Sequence, residues 1–567
     1  MPVSMSFKRA SRFLTAAATM LVTLSLIIPG VVIAKPSGSV NVQLLGINDF
    51  HGNLLPPSGS SGRVGTVDAG GVEYLATHIK SLEATNPNTV VVSAGDVIGA
   101  SPLLSALFHD EPTIEAMNAL GLDFNAVGNH EFDEGVTELL RMQNGGCHPV
   151  DGCLDGDDFA GADFQFLAAN VKYKNNSKTI FPAYKIRSFA GAKVAFIGLT
   201  LEGTPDIVTA GGIASVNFFD EAETINALIP AIKAKGAETI VVLIHEGGAP
   251  TSFNYNGCNG VSEPIASIVN NTNDEVDLFI TGHTHQPYNC VIDGRPVTSA
   301  FSFGRLVTDV DMVIDRATGE ATSMTVDNKI VTRDVAKDAA ETAIINKYNV
   351  IAAPLANRVI GSITSTITRT TNTAGESALG DVIADGQLED TAPAGRGDAV
   401  VAFMNPGGIR ADLTYPSSPA GEGDGNVTYG EMFTVQPFGN NLVTLTLTGT
   451  QIETMLEQQF CNEAMTTPRD TTAILQPSVG FTYTWTASAG CGSKVSSIQL
   501  NSTPLDPAAS YRVTVNSFLA DGGDGLPVLK AGTNRMGGAV DTDAFEAYFV
   551  AHSPVAPGLQ NRITMLP

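Results

Sequence analysis

Residues 276–285 read VDLFITGHTH. An apolar run ends there in a glycine and two histidines spaced two apart, the pattern of a buried strand running out into a turn that carries chemistry. The layout recurs upstream in VQLLGINDFH (42–51), TVVVSAGD (89–96), FNAVGNHEFD (124–133) and ETIVVLIH (238–245). KVAFIGLT (193–200) is a further buried run. Between these lie amphipathic stretches such as VEYLATHIKSLEA (72–84) and FDEAETINALIPAIKAK (219–235). Strands alternating with helices predict an α/β fold from about residue 40 to residue 330. Ligands of open α/β sheets bind outside the carboxyl ends of strands, so five such turns converge on one crevice.

Beyond residue 330 a helical stretch, VAKDAAETAIINKYNVIAA (335–353), runs to Pro354, which should end or kink it. After it the texture changes to Thr- and Gly-rich chain with short β-branched runs: LVTLTLTG (442–449), FTYTWTA (481–487) and YRVTVNSF (511–518). We place a domain boundary at 335–360, separating residues 35–334 from a smaller α/β domain at 361–567. Two or three domains suit 567 residues.

Composition narrows the function classes. The chain is 43% hydrophobic and 16% charged, which excludes a disordered chain. Its 32 basic residues against 58 acidic give a net charge of −26 and a pI near 4.6. A chain this acidic lacks the basic face needed to coat a nucleic-acid polymer or an anionic membrane.

Residues 1–34 look like an export signal. Lys8, Arg9 and Arg12 precede the apolar run FLTAAATMLVTLSLIIPGVVIA (13–34), and Val32 and Ala34 sit at −3 and −1 of a cleavage after Ala34. The run also approaches spanning length, so an uncleaved N-terminal anchor is the alternative. With cleavage, no stable membrane insertion is expected, and the product is secreted or periplasmic, or associated with a cell wall. Export suits the six cysteines, whose spacing suggests the local pairs Cys147–Cys153, Cys258–Cys290 and Cys461–Cys491 among 15 possible connectivities. No CxxC occurs.

Five of the nine histidines sit at the strand ends. Alternation puts Asp49 and His51 on one side of their strand end, and likewise His283 and His285. Carboxylate, imidazole and amide oxygen without thiolate suit Zn, Mn, Fe or Co. Two such ions can stabilise both the attacking and the leaving oxygen of a phosphoryl displacement. Each short motif alone is weak; five in order are strong. His78, His109, His148 and His552 lack that context and read as ordinary, mostly surface residues.

The ordered set D-x-H, G-D, G-N-H-E, H and G-H-x-H across residues 44–286 resembles the calcineurin-like metallophosphoesterases. The resemblance implies a four-layer domain of mixed sheets and two divalent metal ions, with Zn, Mn or Co as candidates. It implies one metal on Asp49, His51, Asp96 and His285, and a second on Asp96, Asn129, His245 and His283, with Asp96 bridging. It further implies that His130 is no ligand but contacts the transferring phosphoryl or the leaving oxygen. A helix opening after Asn129-His130-Glu131 would bring Asp133 alongside His130. The alternative for Asp133 is a carboxylate facing a helix N-terminus.

Four segments of the C-terminal half carry further signals: Asn405-Pro406-Gly407-Gly408-Ile409-Arg410, Gln436-Pro437-Phe438-Gly439, Phe518 to Gly525, and Gly375 to Asp381. A Gly-rich turn presenting one Arg suits a phosphate or carboxylate. Two turn aromatics can clamp a flat base, and a carboxylate can accept from ribose hydroxyls. Together these segments resemble the C-terminal domain of the secreted 5′-nucleotidase, UDP-sugar hydrolase and ecto-5′-nucleotidase family. That resemblance implies Phe438 and Phe518 around the base, Asp524 on the ribose, Asn405 and Arg410 on substrate, and a domain rotation hinged near 335–360. His285 stands where the family often has Asn or Gln. Gly375 replaces an arginine of some relatives, and Arg369 lies near it but out of register. Arg396-Gly397-Asp398 reads as a chance tripeptide in a Gly-rich loop.

The expected activity is hydrolysis of nucleoside 5′-monophosphates by a monomer or homodimer. The alternatives are a 2′,3′-cyclic-nucleotide phosphodiesterase, a UDP-sugar or nucleoside diphosphate hydrolase, a thiosulfohydrolase acting on a carrier protein, and a non-catalytic nucleotide-binding or adhesion protein.

Overall fold

The computed structural model describes residues 37–57, 59–208, 211–462, 464–469 and 473–567. The expected export signal, residues 1–34, lies outside the described residues.

The N-terminal half is built on two six-stranded sheets. In the first, Ser39–Ile47 is central. It pairs in parallel with Thr89–Ser93, followed outward by Phe124–Ala126 and Gln165–Leu167. On its other side lie the antiparallel strands Leu306–Asp315 and Ala321–Ile330. The second sheet centres on Thr239–His245 between Leu278–Thr281 and Ala192–Thr200, all parallel, with Arg295–Ala300, Pro287–Ile292 and Tyr184–Phe189 completing it.

Strand alternation decides the layering. Val42, Leu44, Val90 and Val92 from the first sheet meet Val241, Leu243 and Ile280 from the second in one core between the sheets. The alternate residues Leu45, Ile47 and Val91 face outward onto the helices Val72–Glu83, Glu111–Leu120 and Gly135–Asn144. Ile240, Val242 and Ile244 likewise face Glu221–Ala234 and Ile265–Asn271. A period of two with both faces apolar requires cover on both sides, and four α/β/β/α layers result. Cys258–Cys290 crosses from a loop to an edge strand of the second sheet, and Cys147–Cys153 closes a surface loop.

The helix Ala339–Ala356 is capped by the Asp338 carboxylate and packs Ile345, Tyr348 and Ala352 into the N-terminal core, with Tyr348 against Phe108. Pro354 lies in its last turn, so the helix ends two residues past the proline rather than at it. So near the carboxyl end, the ring removes one hydrogen bond and leaves little helix to disrupt. The chain then enters the second domain through Val359–Ser362.

There a five-stranded sheet runs Gln476–Pro477, Val401–Met404, Ser510–Asn516, Asn441–Thr448, Thr533–Val540. The helices Ala378–Thr391, Gly449–Gln458 and Asp541–His552 pack around it. A four-stranded sheet holding Phe481–Thr486 completes this smaller domain, which Cys461–Cys491 staples.

Candidate active site

The strand-end side chains converge at the carboxyl edge of both N-terminal sheets. Asp49, His51 and His285 form one group and Asp96, His245 and His283 a second, the ligand atoms of each lying within 4.8 Å of one another. Asn129 Oδ1 lies 3.0 Å from His283 Nδ1. Asp96 Oδ2 is 2.9 Å from His245 Nε2 and 3.6 Å from His51 Nε2, so this one carboxylate reaches both groups. His51 Nε2 lies 3.0 Å from His285 Nε2, which is 3.2 Å from Asp49 Oδ1.

Backbone carbonyls fix the rings. His51 Nδ1 is 2.8 Å from the Gly99 carbonyl and His245 Nδ1 is 2.8 Å from that of Ala94. Each bond leaves Nε2 turned inward, the tautomer a metal requires. His245 Nε2 is buried and close to Asp96, yet it has no aligned hydrogen-bond partner. Burial drives His51 and His285 far below the usual imidazole range, and burial and then His245 push His283 down to about 3. Burial would raise Asp96, but His245, His130 and His51 outweigh it and hold the carboxyl well below its ordinary value. His245 is opposed by burial too, yet Asp96 carries it up to about 10. Neutral His51, His283 and His285 around an ionised Asp96 fit divalent cations, and an ion would take the place of the proton that Asp96 holds on His245, whose inward Nε2 lacks an aligned partner.

The backbone is strained where the ligands stand. Asp49, His51, Asp96, His283 and His285 all have positive φ, between 47° and 70°. Left-handed non-glycine residues cost of order 1–2 kcal/mol each and persist only where their surroundings fix them. Gly95, at φ 96°, is required twice over, since a Cβ there would lie 2.6 Å from His245 Nδ1. Much of the fixing falls to Glu131. Its carboxylate accepts the N–H groups of Asp96, Val97 and Gly128 at 2.6–2.9 Å and the Asn125 amide at 3.0 Å, tying two ligand-bearing turns together.

After Asn129 the chain makes a 3-10 turn, His130–Phe132, and the α-helix begins only at Gly135. At three residues per turn, side chains three apart eclipse. Asp133 Oδ2 therefore lies 2.8 Å from His130 Nδ1, and it also accepts the Ala100 N–H at 3.2 Å. Burial opposes a proton on His130, but Asp133 and Asp96 prevail and raise it above the ordinary imidazole value.

The second domain reaches into this site. The Phe438 ring stacks on His130 at 5.6 Å and 22°, and the Arg410 guanidinium lies 5.8 Å from the Phe438 centroid. Arg410 is close enough to the metal-site groups to lower the imidazole of His285. Asn405 donates to Asp524 Oδ2 at 2.9 Å and accepts from Asn516 at 2.9 Å. Phe518 lies flat on Gly523, where a Cβ would meet its ring atoms at 2.4–2.6 Å. Phe518 also lines a cavity of about 70 Å³ with Pro205, Asp206 and Val208 of the first domain. No ring contact joins Phe438 to Phe518 among the described residues.

Residues 42–287 match the calcineurin-like phosphoesterase family, and residues 359–531 match the 5′-nucleotidase C-terminal domain. Cell wall protein Lmo0130 of Listeria monocytogenes is 32% identical over 97% of this chain and 72% of its own length. The chain belongs to the 5′-nucleotidase family. Endonuclease YhcR of Bacillus subtilis is also 32% identical, over 94% of this chain, which spans only 41% of that relative. The crystal structure of a 5′-nucleotidase precursor from Thermus thermophilus superposes with a TM-score of 0.74 at 28% identity, covering 93% of this chain and 99% of that one. The calcineurin-like half accounts for a divalent-metal site in a member of this family.

Three site residues escape motif reading. Glu131 is visible only as a letter of the G-N-H-E motif, and its role as a brace needs the neighbouring strands. Arg369 donates to the Ile409 carbonyl at 3.2 Å and stands beside Arg410, although its sequence position is out of register. Arg305 lies 3.4 Å over the Phe301 ring, and burial lowers it to about 9. Arg410, Arg369 and Arg305 all bear on His285, which makes a basic face inside an acidic chain.

Proposed function

We propose that the chain hydrolyses nucleoside 5′-monophosphates to nucleoside and phosphate outside the cytoplasm. The observation that carries this reading is the meeting of the two buried ligand groups, the His130–Asp133 pair and the second domain's Phe438 and Arg410 in one place. Asp49, His51, Asp96 and His285 would hold one cation, and Asp96, Asn129, His245 and His283 the other. When bound, two divalent cations activate water and neutralise the phosphoryl oxygens.

The chain's own residues supply the rest. Arg410, with Arg369 behind it, draws the phosphate toward His285 against the overall negative charge. His130 is held at Nδ1 by Asp133, which leaves Nε2 to stabilise the transferring phosphoryl or to protonate the ribose oxygen as it leaves. Asp524, bonded to Asn405, is positioned to accept from ribose hydroxyls. Phe438 and Phe518 offer ring faces to the base. The helix Ala339–Ala356, anchored in the first domain, lies next to the hinge about which the second would turn.

Phe438 stacked over His130 covers the site, which supports a small ester rather than a polymer as substrate. The sequence of residues 1–34 and the cell-wall name of the Listeria relative support an extracytoplasmic location. No helix among the described residues is long and apolar enough to cross a membrane. A side-by-side panel of AMP, ADP, UDP-glucose and 2′,3′-cAMP tests the substrate. The highest kcat/KM is expected on AMP; a clear preference for the cyclic or sugar ester would replace this reading with one of its alternatives.

A further inference from the structure

Beneath the surface of the second domain, a relay of side-chain amides joins the segments that carry Asn405, Phe518 and Asp524, and its direction is fixed from one end. Asn516, the last residue of the strand Ser510–Asn516, is 1% exposed. Its Oδ1 accepts the Leu519 N–H at 2.9 Å and so caps Ser517–Ala520, the short helix that carries Phe518. A peptide N–H can only donate, so this contact identifies the oxygen of Asn516, and its nitrogen must point the other way. That nitrogen donates to Asn405 Oδ1 at 2.9 Å, with the Met404 sulfur 4.0 Å away for its second hydrogen.

Asn405 inherits the direction. With its oxygen taken by Asn516, its own nitrogen faces Asp524 and donates to Oδ2 at 2.9 Å. The cost to Asn405 is visible in the backbone. It stands at the N-cap of the 3-10 turn Pro406–Gly408, where an asparagine oxygen ordinarily accepts a main-chain N–H, yet it makes no such bond. Asn516 holds that oxygen instead.

The far end of the relay is a carboxylate in left-handed backbone. Asp524, at φ 53°, sits in the turn Gly523–Gly525, and Arg469 donates to its main-chain carbonyl at 2.6 Å. Burial raises its carboxyl, while the Asn405 bond and the Arg469 charge act to keep it ionised. Asn405 engages one of its oxygens, which leaves the other to accept from a ligand. An Asn405 turned over would set its own oxygen against that carboxylate, which would then have to take up a proton or move.

We infer that Asn516 is a positioning residue for nucleoside binding: by fixing the amide of Asn405, it keeps Asp524 an acceptor and ties that acceptor to the helix bearing Phe518. Asn516 itself meets no substrate. The inference rests on the reading that Asp524 meets the ribose, and it adds what sets the polarity of that contact.

The test reverses the relay. In Asn516→Asp the new carboxylate still caps Leu519 but, ionised at pH 8, gives Asn405 nothing to accept. In Asp524→Asn the relay keeps its direction, so the new amide accepts from Asn405 and turns its N–H groups to the ribose. In the double variant Asn405 turns over, donates to the carboxylate at 516 and accepts from the amide at 524, whose oxygen again faces the ribose. KM for AMP at pH 8 is expected to rise about tenfold in each single variant and to fall below both in the double variant. kcat should move less than KM throughout.

Melting temperature reads the relay with no substrate present. Asn516→Asp should melt below wild type, and adding Asp524→Asn should raise it by more than the same change raises wild type. Asn516→Ser keeps a capping oxygen but cannot reach Asn405. It should raise KM several-fold, and it serves as the test if the buried carboxylate of Asn516→Asp prevents folding. If Asp524→Asn leaves KM unchanged, the ribose reading fails, and the melting temperatures still decide the relay. Losses that simply add in the double variant, in both KM and melting temperature, or a wild-type KM in Asn516→Ser, overturn the inference.

Discussion

Asp133→Asn is the sharpest single perturbation of the proposed chemistry. The substitution keeps size and shape, and the amide oxygen can still accept from His130 Nδ1 across the 2.8 Å contact and from the Ala100 N–H. Only the charge is lost. A hydrogen bond to a charged group contributes about 1.5–3 kcal/mol and a neutral one about 0.5–1.5 kcal/mol, so the pair is weakened by about 1–1.5 kcal/mol. If His130 develops positive charge or gives up a proton in the transition state, that loss is a fall in kcat of about 5- to 15-fold. The contact lies behind His130, so the loss should fall mainly on kcat; the Asp133 charge also acts on Arg410, so its removal should leave KM for an anionic substrate the same or lower. The assay is steady-state phosphate release from AMP beside an aryl phosphate whose leaving group needs no proton. A His130 that protonates the leaving oxygen makes the loss large on AMP and small on the aryl ester. Equal losses on both would assign His130 to the phosphoryl group alone, and no loss on either would refute its part in the reaction.

Other perturbations address the second domain and the fold. Gly523→Ala places a methyl carbon into the Phe518 ring, an overpacking that costs about 1–3 kcal/mol unless the ring swings away. KM for AMP should rise several-fold while aryl phosphate turnover is spared; an unchanged KM for AMP would argue that Phe518 does not meet the base. Phe438→Ala should likewise weaken AMP more than the aryl ester, and equal effects on both would count against a base-binding role. Glu341 is fully buried with neither carboxyl oxygen hydrogen-bonded, and burial, with Asp338 and Glu73 nearby, raises it to about 8. Its folded form holds a proton that the unfolded chain releases near pH 4.5, so stability falls as pH rises from there through about 8. Glu341→Gln should melt close to wild type at pH 5 and several degrees higher at pH 8.5, reflecting a few kcal/mol. A variant less stable than wild type at pH 8.5 would show that the carboxylate is paired after all.

Much of the first domain is legible in the sequence because its signals are local. Apolar runs such as TVVVSAG and ETIVVLIH can only be strands covered on both faces, and each ends in the residue that carries chemistry. D-x-H and G-H-x-H mark which strand ends carry the chemistry, but Asp49, His51, His283 and His285 stand past those ends in left-handed backbone, so the turns rather than strand alternation aim them, and His283 and His285 go to different groups. What stays hidden depends on contacts between distant segments. Glu131 braces two turns only when adjacent strands align them, and Arg369 and Arg305 come together only when the domains meet. His109 and His148, whose rings stack at 3.8 Å, are separated by two helices and a strand whose packing the sequence does not reveal. The 3-10 turn at His130 is hidden for another reason: the bonds of Glu131, rather than helix propensity, set the local backbone.

The acidity of the chain and a phosphate substrate are compatible once charge is placed rather than summed. Asp49 and Asp96 are the carboxylates proposed to meet cations, while the charges of Arg410, Arg369 and Arg305 all act on His285. The net charge of −26 still speaks against coating a polyanion, but the local field at the site is set by its nearest charges.

The most direct measurement is phosphate release from AMP by chelator-stripped chain, before and after Mn²⁺, Zn²⁺ or Co²⁺ is restored, beside Asp96→Asn treated identically. Stripped wild type should be inactive and should recover with metal, whereas Asp96→Asn should stay depressed by orders of magnitude because the carboxylate reaching both ligand groups is gone. Full turnover in excess chelator, or wild-type turnover from Asp96→Asn, would contradict a two-metal phosphoesterase.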